Sequence, residues 1–137
     1  MTVKEIYAIT PDAFGWRYLP SGNFVTLGNG VTLGNDVTLG NGVKLGNDVK
    51  LGNDVTLGNF VKLGNFVKYD TTPRQVLCHP YVVYPHSPGM IGVGCIVHEV
   101  DYWLRAQDPD ELQGHPECLP WDRYREAIVF VAKQFEV

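Results

Sequence analysis

Three features are missing from this chain. Its 137 residues contain no basic run, no Cys-x-x-Cys pair and no apolar stretch that approaches the length of a membrane span. The net charge of −4 is a poor electrostatic match for nucleic acid. Residues 1–20 lack a signal-peptide core, and the three cysteines form an odd set that favours a reduced compartment. We therefore expect a cytoplasmic protein without a nucleic-acid or membrane partner.

Residues 21–68 repeat one six-residue pattern eight times without an insertion. Seven of the eight hexads begin with Leu, all eight continue with Gly-Asn, and all eight have Val at the fifth position. In an extended segment such as Val43-Lys44-Leu45, Val and Leu lie on one face and the polar residue on the other. Gly and Asn tolerate the left-handed backbone angles that a corner needs. Each hexad is therefore predicted to form a short strand and a corner, stacked on its copies because one hexad cannot bury its own apolar face.

This hexad resembles the hexapeptide repeat of left-handed parallel β-helices. The resemblance implies that three hexads, about 18 residues, form one triangular coil, so the eight hexads would form about three coils. Leu residues three hexads apart should then stack in the interior, and Asn side chains should bond along the corners. The fold class we predict is mainly β: a left-handed parallel β-helix with an N-terminal cap and a small C-terminal α+β segment that ends in a helix.

This predicted fold divides the chain into three parts. Residues 1–20 are expected to cover the open end of the β-helix, residues 21–68 to form it, and residues 69–137 to form the α+β segment. Within that segment, the sequence pattern predicts one strand over residues 91–97, with Cys95 buried in it, and a short helix over residues 101–106. Asp122 is expected to be the N-cap of the last helix. The apolar stripe of that helix is expected to pack on the β-helix and consists of Tyr124, Ile128, Val131 and Phe135.

The superfamily that the repeat resembles is best known for trimeric acyltransferases that use acetyl-CoA or acyl-carrier-protein thioesters. Its enzymes place a catalytic His on or near the coils, often beside an extruded loop. Here the repeat contains neither a His nor an interruption, and every His follows it: His79, His86, His98 and His115. We therefore expect no catalytic residue and no cofactor, and a short acyltransferase is the main alternative.

Two Cys and His pairs have the spacing of a zinc site. Cys95-x-x-His98 and His115-x-x-Cys118 would supply four ligands, which is the usual number for structural zinc. Such spacings also arise by chance, and a Cys in an apolar strand is ordinarily a small core residue. Our expectation is no metal site, with zinc as the open alternative.

Three phenylalanines in the repeat are expected to point outward from the corners. Phe24 and Phe60 should share one corner, with Gly42 between them, and Phe66 should lie on the next. Exposed aromatic side chains indicate a covered surface. The resemblance implies a homotrimer that buries them at its interface, whereas the alternative is a cover within the same chain.

Four lysines are expected on the outer faces of the repeat. Lys44 should stack on Lys62, and Lys50 on Lys68, so that like charges oppose each other at the strand spacing. Solvated lysines tolerate this arrangement. Lysine pairs near a subunit seam could also hold an anionic small molecule such as a signalling nucleotide, so these four residues are our candidate anion-binding residues.

The C-terminal part loosely resembles the tail that follows short hexapeptide blocks in small phage and prophage proteins. The residues that carry this resemblance are GVGCIVHEVDYWL and RYREAIVFVAKQF. It implies a virion component or a host-interaction protein. The function we predict is a non-catalytic, trimeric assembly or binding protein. The alternatives are the short acyltransferase and a trimer that sequesters an anion.

Overall fold

The computed structural model describes residues 2–78, 81–106 and 121–135. The chain forms two compact units, Met1–Pro73 and Arg74–Val137, and each is described separately below.

The first unit begins with a helix and then builds three parallel sheets from the hexads. Helix α1 spans Val3–Tyr7, and strand β1 (Arg17–Tyr18) pairs antiparallel with the first strand of the hexads, Phe24–Leu27. The hexads supply β2 (Phe24–Leu27), β3 (Thr32–Leu33), β4 (Thr38–Leu39), β5 (Val43–Leu45), β6 (Lys50–Leu51), β7 (Thr56–Leu57), β8 (Lys62–Leu63) and β9 (Lys68–Tyr69). Successive hexad strands belong to the three sheets in turn. The strand orders within the sheets are β1-β2-β5-β8, β3-β6-β9 and β4-β7. Three consecutive hexads therefore form one level of the stack, which we call a rung.

The interior of this unit consists of columns of Leu and Val. Leu45 pairs in register with Leu27 in the preceding rung and with Leu63 in the following rung, which confirms the predicted spacing. In the second sheet, Leu51 pairs with Leu33 and with Tyr69, where the motif ends. The valines at the fifth hexad position are buried except for the half-buried Val37. Apolar burial on this scale offsets the conformational entropy of the short strands.

The corners differ from the prediction, because a different residue of the hexad adopts the left-handed conformation. In seven of the eight hexads the residue after Asn has the positive φ, as at Gly30 (74°), Asp48 (57°) and Phe66 (66°). In the first hexad Gly22 has it (94°), and within the described residues no Asn of the repeat has a positive φ. The Gly before Asn is required for a different reason. A Cβ atom at Gly28 would lie only 2.6 Å from the backbone nitrogen of Asn47 in the next rung. The sequence pattern showed that a corner was present but not which residue makes the turn.

The second unit is an antiparallel sheet with helices packed on it. Its elements are β10 (Val76–Cys78), β11 (Tyr81–Ser87), β12 (Met90–Val93), β13 (Ile96–Glu99), α2 (Val100–Arg105), α3 (Trp121–Ala132) and a 3-10 turn (Lys133–Phe135). The single strand predicted over residues 91–97 is wrong. Gly94, with φ of 60°, and Cys95 form a two-residue turn between β12 and β13. Cys95 is therefore exposed at the turn, not buried in a strand.

Three of the four predicted stripe residues lie on α3 and pack on the sheet of its own unit, whereas Phe135 lies in the 3-10 turn and is half-buried. Tyr124, Ile128 and Val131 are buried against Val83, Ile91, Val93 and Trp103, and the helix contacts β10, β11 and β12. The expected packing on the β-helix is thus replaced by packing on this sheet. Asp122 lies in the first turn, one residue after the helix begins, and not at the N-cap. A carboxylate there still interacts favourably with the helix dipole.

Candidate binding surfaces of the repeat block

The predicted lysine pairs are present, and they lie on two different sheets. Lys44 and Lys62 occupy paired positions on β5 and β8, whereas Lys50 and Lys68 occupy paired positions on β6 and β9. Lys62 is half-buried, and the other three are exposed. The chain therefore presents two separate cationic columns, not one cluster of four.

Lys44 lies beside an aromatic pair supplied by the N-terminal segment. Its Nζ atom is 5.1 Å from the centre of the Trp16 ring, within the range of a cation–π contact. The Trp16 ring in turn meets Phe24 edge-on at 4.8 Å. The column of Lys44 and Lys62 therefore combines cations with an adjacent aromatic face.

The loop that carries Trp16 is held by one carboxylate. Asp12 accepts hydrogen bonds from the backbone nitrogens of Phe14 (2.9 Å) and Trp16 (3.0 Å). Desolvation raises the pKa of the Asp12 carboxyl, but these backbone hydrogen bonds outweigh it, so the pKa lies below its ordinary value. These hydrogen bonds hold the loop that carries Trp16 and favour the charged form of Asp12.

In the second column, Lys68 has a nearby partner. Its Nζ atom is 3.8 Å from the Oδ1 atom of Asp70, and both side chains are largely exposed. An exposed pair of this kind contributes little to stability and leaves the lysine available to other anions.

Phe60 and Phe66 occupy the strained position of their hexads. Both have left-handed backbone angles (φ of 64° and 66°), which are unusual for a bulky side chain. Both are also exposed, by 55% and 74% respectively. The ring of Phe60 lies against the backbone of Gly42 in the preceding rung.

Phe24 differs from the other two phenylalanines. It begins strand β2, is half-buried, and contacts Trp16 and Tyr18 of the N-terminal segment. The sequence left open whether another part of the same chain covers the phenylalanines. Phe24 is covered in this way. Phe60 and Phe66 are the members of the set that stay exposed in this chain.

The Asn columns connect successive rungs as the sequence indicated. The Oδ1 atom of Asn59 accepts from the backbone nitrogen of Asn41 at 2.8 Å, and Asn65 does the same for Asn47. The side-chain amides of the second and third rungs thus bond backbone groups of the preceding rung.

The N-terminal segment contacts the first rung through Tyr7. The Tyr7 hydroxyl donates to the carbonyl of Gly28 at 2.6 Å and accepts from the backbone nitrogen of Val31 at 3.0 Å. One phenol therefore satisfies an acceptor and a donor at the edge of the stack. The sequence indicated that residues 1–20 cover this end, but nothing in it singled out Tyr7.

The candidate zinc ligands are only partly described. His98 stacks on Tyr102 with ring centres 3.7 Å apart and meets Trp103 edge-on, whereas His115 and Cys118 lie outside the described residues. Among the residues that the structure describes, no group of three His, Cys, Asp or Glu side chains is arranged to hold a metal ion.

Of the two remaining histidines, His86 lies within the described residues. His86 has its Nδ1 atom 3.1 Å from the hydroxyl of the adjacent Ser87, and His79 lies outside the described residues. An open depression of about 400 Å³ on α3 is lined by Asp122, Arg125, Glu126 and Val129, which belong to the polar side of that helix. Across the described part of the chain, none of the helices is long and apolar enough to cross a membrane.

Comparison with known proteins gives one match. Residues 30–65 match the family model described as bacterial transferase hexapeptide (six repeats). Neither the search of curated proteins nor the search of solved structures gave a match. The matched segment is six repeat lengths long and contains Lys44, Lys50, Lys62 and Phe60.

Proposed function

The chain carries the hexapeptide repeat of the bacterial transferase hexapeptide family, and from this premise we propose that it is a non-catalytic, homotrimeric assembly or binding protein. Proteins with this repeat commonly trimerise. The proposal includes a left-handed sense and about three coils for the β-helix, with residues 1–20 as its N-terminal cap. One observation carries it, namely the placement of Phe60 and Phe66.

These two phenylalanines are unfavourable for the isolated chain in two independent ways. A left-handed backbone angle at a residue with a bulky side chain costs about 1–2 kcal/mol, and both residues have one. Most of each ring is also exposed to water, which forgoes about 25 cal/mol for every Å² of apolar surface left unburied. In five other hexads this position is Gly, which avoids both costs, or Asp, which tolerates the left-handed angle better than Phe and exposes no large apolar surface. A surface that buries the rings in the assembled protein explains why Phe is present.

The trimer is tested by light scattering on the wild type and on Phe66→Asp. We expect the wild type to have three times the 15.3 kDa mass of one chain and Phe66→Asp to be a smaller species. Phe14→Asp is the matched control, because Phe14 is 86% exposed but lies in the N-terminal segment outside the corner columns. A folded wild-type monomer would contradict the proposal, and so would equal effects of the two substitutions.

The short acyltransferase is the main alternative. Family members that transfer acyl groups use a His as general base, and this repeat block contains none. We therefore expect no acetyl transfer from acetyl-CoA to amine or hydroxyl acceptors, and no shift of the melting temperature with acetyl-CoA. Turnover that is lost in His86→Ala would instead establish the enzyme.

A second candidate function is the sequestration of an anionic small molecule. The specific observation is the column in which Lys44 and Lys62 are paired and Trp16 lies beside Lys44. Cations next to an aromatic face can bind a phosphate and stack a base. Lys50 and Lys68 form the corresponding column on the neighbouring sheet. In a trimer, lysine columns of adjacent subunits would meet at the seam.

Calorimetry with a panel of nucleotides and CoA tests this second function. We expect binding that weakens as salt rises, because exposed charges are screened over about 8 Å at physiological ionic strength. The variant with Lys44→Ala and Lys62→Ala should bind at least about tenfold more weakly, and Lys4→Ala in helix α1 is the control. Tight binding that is unaffected by either variant would refute this site.

The cellular setting belongs to the same proposal. A cytoplasmic location is our expectation, and a virion role would place the protein in purified phage particles. Mass spectrometry of such particles distinguishes a structural virion component from a protein that acts inside the infected cell.

A further inference from the structure

The chain contains two copies of the same seven residues in two different structural settings. Residues 25–31 and 37–43 both have the sequence VTLGNGV, so Asn29-Gly30 and Asn41-Gly42 have identical neighbours. An Asn followed by Gly is the dipeptide most susceptible to deamidation, since Gly presents no side chain that hinders its own nitrogen. Any difference in reactivity between the two must therefore come from the fold.

Asn41-Gly42 is held by hydrogen bonds on both reacting groups. The side-chain oxygen of Asn41 accepts from the backbone nitrogen of Phe24 at 2.9 Å. The backbone nitrogen of Gly42, which is the atom that would attack, donates to the carbonyl of Phe24 at 2.8 Å. Gly42 is also buried beneath the ring of Phe60. Attack would have to break both bonds in a site shielded from water.

Asn29-Gly30 lies in the first rung and lacks these two restraints. Within the described residues, no hydrogen bond is formed by the side-chain oxygen of Asn29 or by the backbone nitrogen of Gly30. Both residues are exposed. The physical reason is position: there is no earlier hexad whose backbone could supply the partners that Phe24 supplies to Asn41-Gly42. The side-chain carboxylate of Asp48 lies beside Gly30, on the face where a Cβ atom would be.

We infer that Asn29 is a site of spontaneous deamidation and that Asn41 is protected. The Gly30 nitrogen loses its proton and attacks Cγ of Asn29, a C–N bond forms, and the side-chain nitrogen leaves as ammonia. The resulting succinimide is opened by water at either carbonyl, which gives aspartate or isoaspartate at position 29. No oxidant, metal or second protein is needed.

The product changes the N-terminal end of the stack. The Asn29 carbonyl accepts from Asp48 nitrogen at 2.7 Å, and the Asn29 nitrogen donates to the Asn47 side chain at 2.8 Å. Isoaspartate inserts an additional methylene into the backbone between these two bonds, so both cannot keep their geometry. Aspartate instead places a new negative charge close to Asp48. Either product loosens the first rung. Spontaneous modification of Asn29 therefore weakens the N-terminal end of the stack as the protein ages.

The test is peptide mass spectrometry on full-length protein incubated in mildly alkaline buffer. Trypsin cleaves after Arg17 and Lys44, so a single peptide, residues 18–44, reports both dipeptides. In the folded protein we expect Asn29 to deamidate roughly 30-fold faster than Asn41, the equivalent of two hydrogen bonds of about 1 kcal/mol each. In concentrated denaturant the two rates should become equal, because the local sequences are identical.

A second variant keeps the inference falsifiable. Tyr7→Phe removes the hydroxyl that accepts from the adjacent Val31 nitrogen, so it should accelerate deamidation at Asn29 and leave Asn41 unchanged. Equal rates at Asn29 and Asn41 in the folded protein would overturn the inference. A faster rate at Asn41 would do so as well.

Discussion

The ring of Phe60 lies against the backbone of Gly42, one rung earlier in the same corner. A Cβ atom at position 42 would be 2.5 Å from Cδ1 of Phe60, closer than such atoms approach in proteins. Gly42 also has a φ of 75°. Aromatic residues on this corner are therefore compatible with the stack because Gly occupies the preceding rung.

Gly42→Ala should destabilise the protein for two reasons, the left-handed angle and the overlap with Phe60. We expect a loss of about 2–4 kcal/mol in unfolding free energy, of which about 1–2 kcal/mol is the backbone term. Gly22→Ala is the matched control, because Gly22 has a φ of 94° and nothing within 4 Å of its added Cβ. Denaturant unfolding measures both. In a Phe60→Ala background, the loss of unfolding free energy caused by Gly42→Ala should fall to the loss caused by Gly22→Ala. An unchanged loss would refute the contact between Phe60 and Gly42.

Tyr7→Phe should loosen the contact of the N-terminal segment with the first rung. The loss of one phenol hydroxyl leaves the carbonyl of Gly28 and the nitrogen of Val31 without this partner, which costs about 1–3 kcal/mol. Hydrogen exchange at Val31 should accelerate. Tyr18→Phe is the control, since its hydroxyl makes an exposed 3.3 Å contact with Asp12. Equal protection of Val31 in both variants would show that Tyr7 does not anchor the segment.

Leu45→Asp should abolish soluble folding, whereas Lys44→Glu should leave stability within about 0.5 kcal/mol of the wild type. Leu45 is 2% exposed in the middle of its column, and Lys44 beside it is exposed. Soluble yield and circular dichroism compare the two. Similar tolerance of both substitutions would contradict the alternation that defines the strands.

Tyr69→Phe should reduce the loss of unfolding free energy at alkaline pH. Burial raises the pKa of Tyr69 from 10.0 to about 12, so folding favours the neutral phenol. The stabilisation is fully present below pH 10 and is lost as pH rises through about 12. Unfolding free energies across that window should fall less steeply in the variant. A Tyr69 phenol that ionises near pH 10 in the folded protein would contradict this prediction.

Local periodicity was sufficient to predict the repeat block. The pairing of Leu27, Leu45 and Leu63, and of Lys44 with Lys62, follows from a strict six-residue period combined with alternation along each strand. These features depend on neighbours in sequence and on copies at a fixed distance, so the sequence contains them directly. The same holds for the stripe of α3, whose 3.6-residue spacing predicted its buried face.

Contacts between distant residues were decided only by the tertiary structure. The left-handed residue of each corner, the Gly94-Cys95 turn, the cover over Phe24 and the surface on which α3 packs all depend on which segments meet in space. The same is true of the two Asn-Gly dipeptides. Their sequences are identical, and contacts from neighbouring rungs, with Phe24 and with Phe60, distinguish Asn41-Gly42 from Asn29-Gly30. A hydrogen-bond partner supplied from outside the local sequence cannot be inferred from that sequence, because the partner is selected by packing.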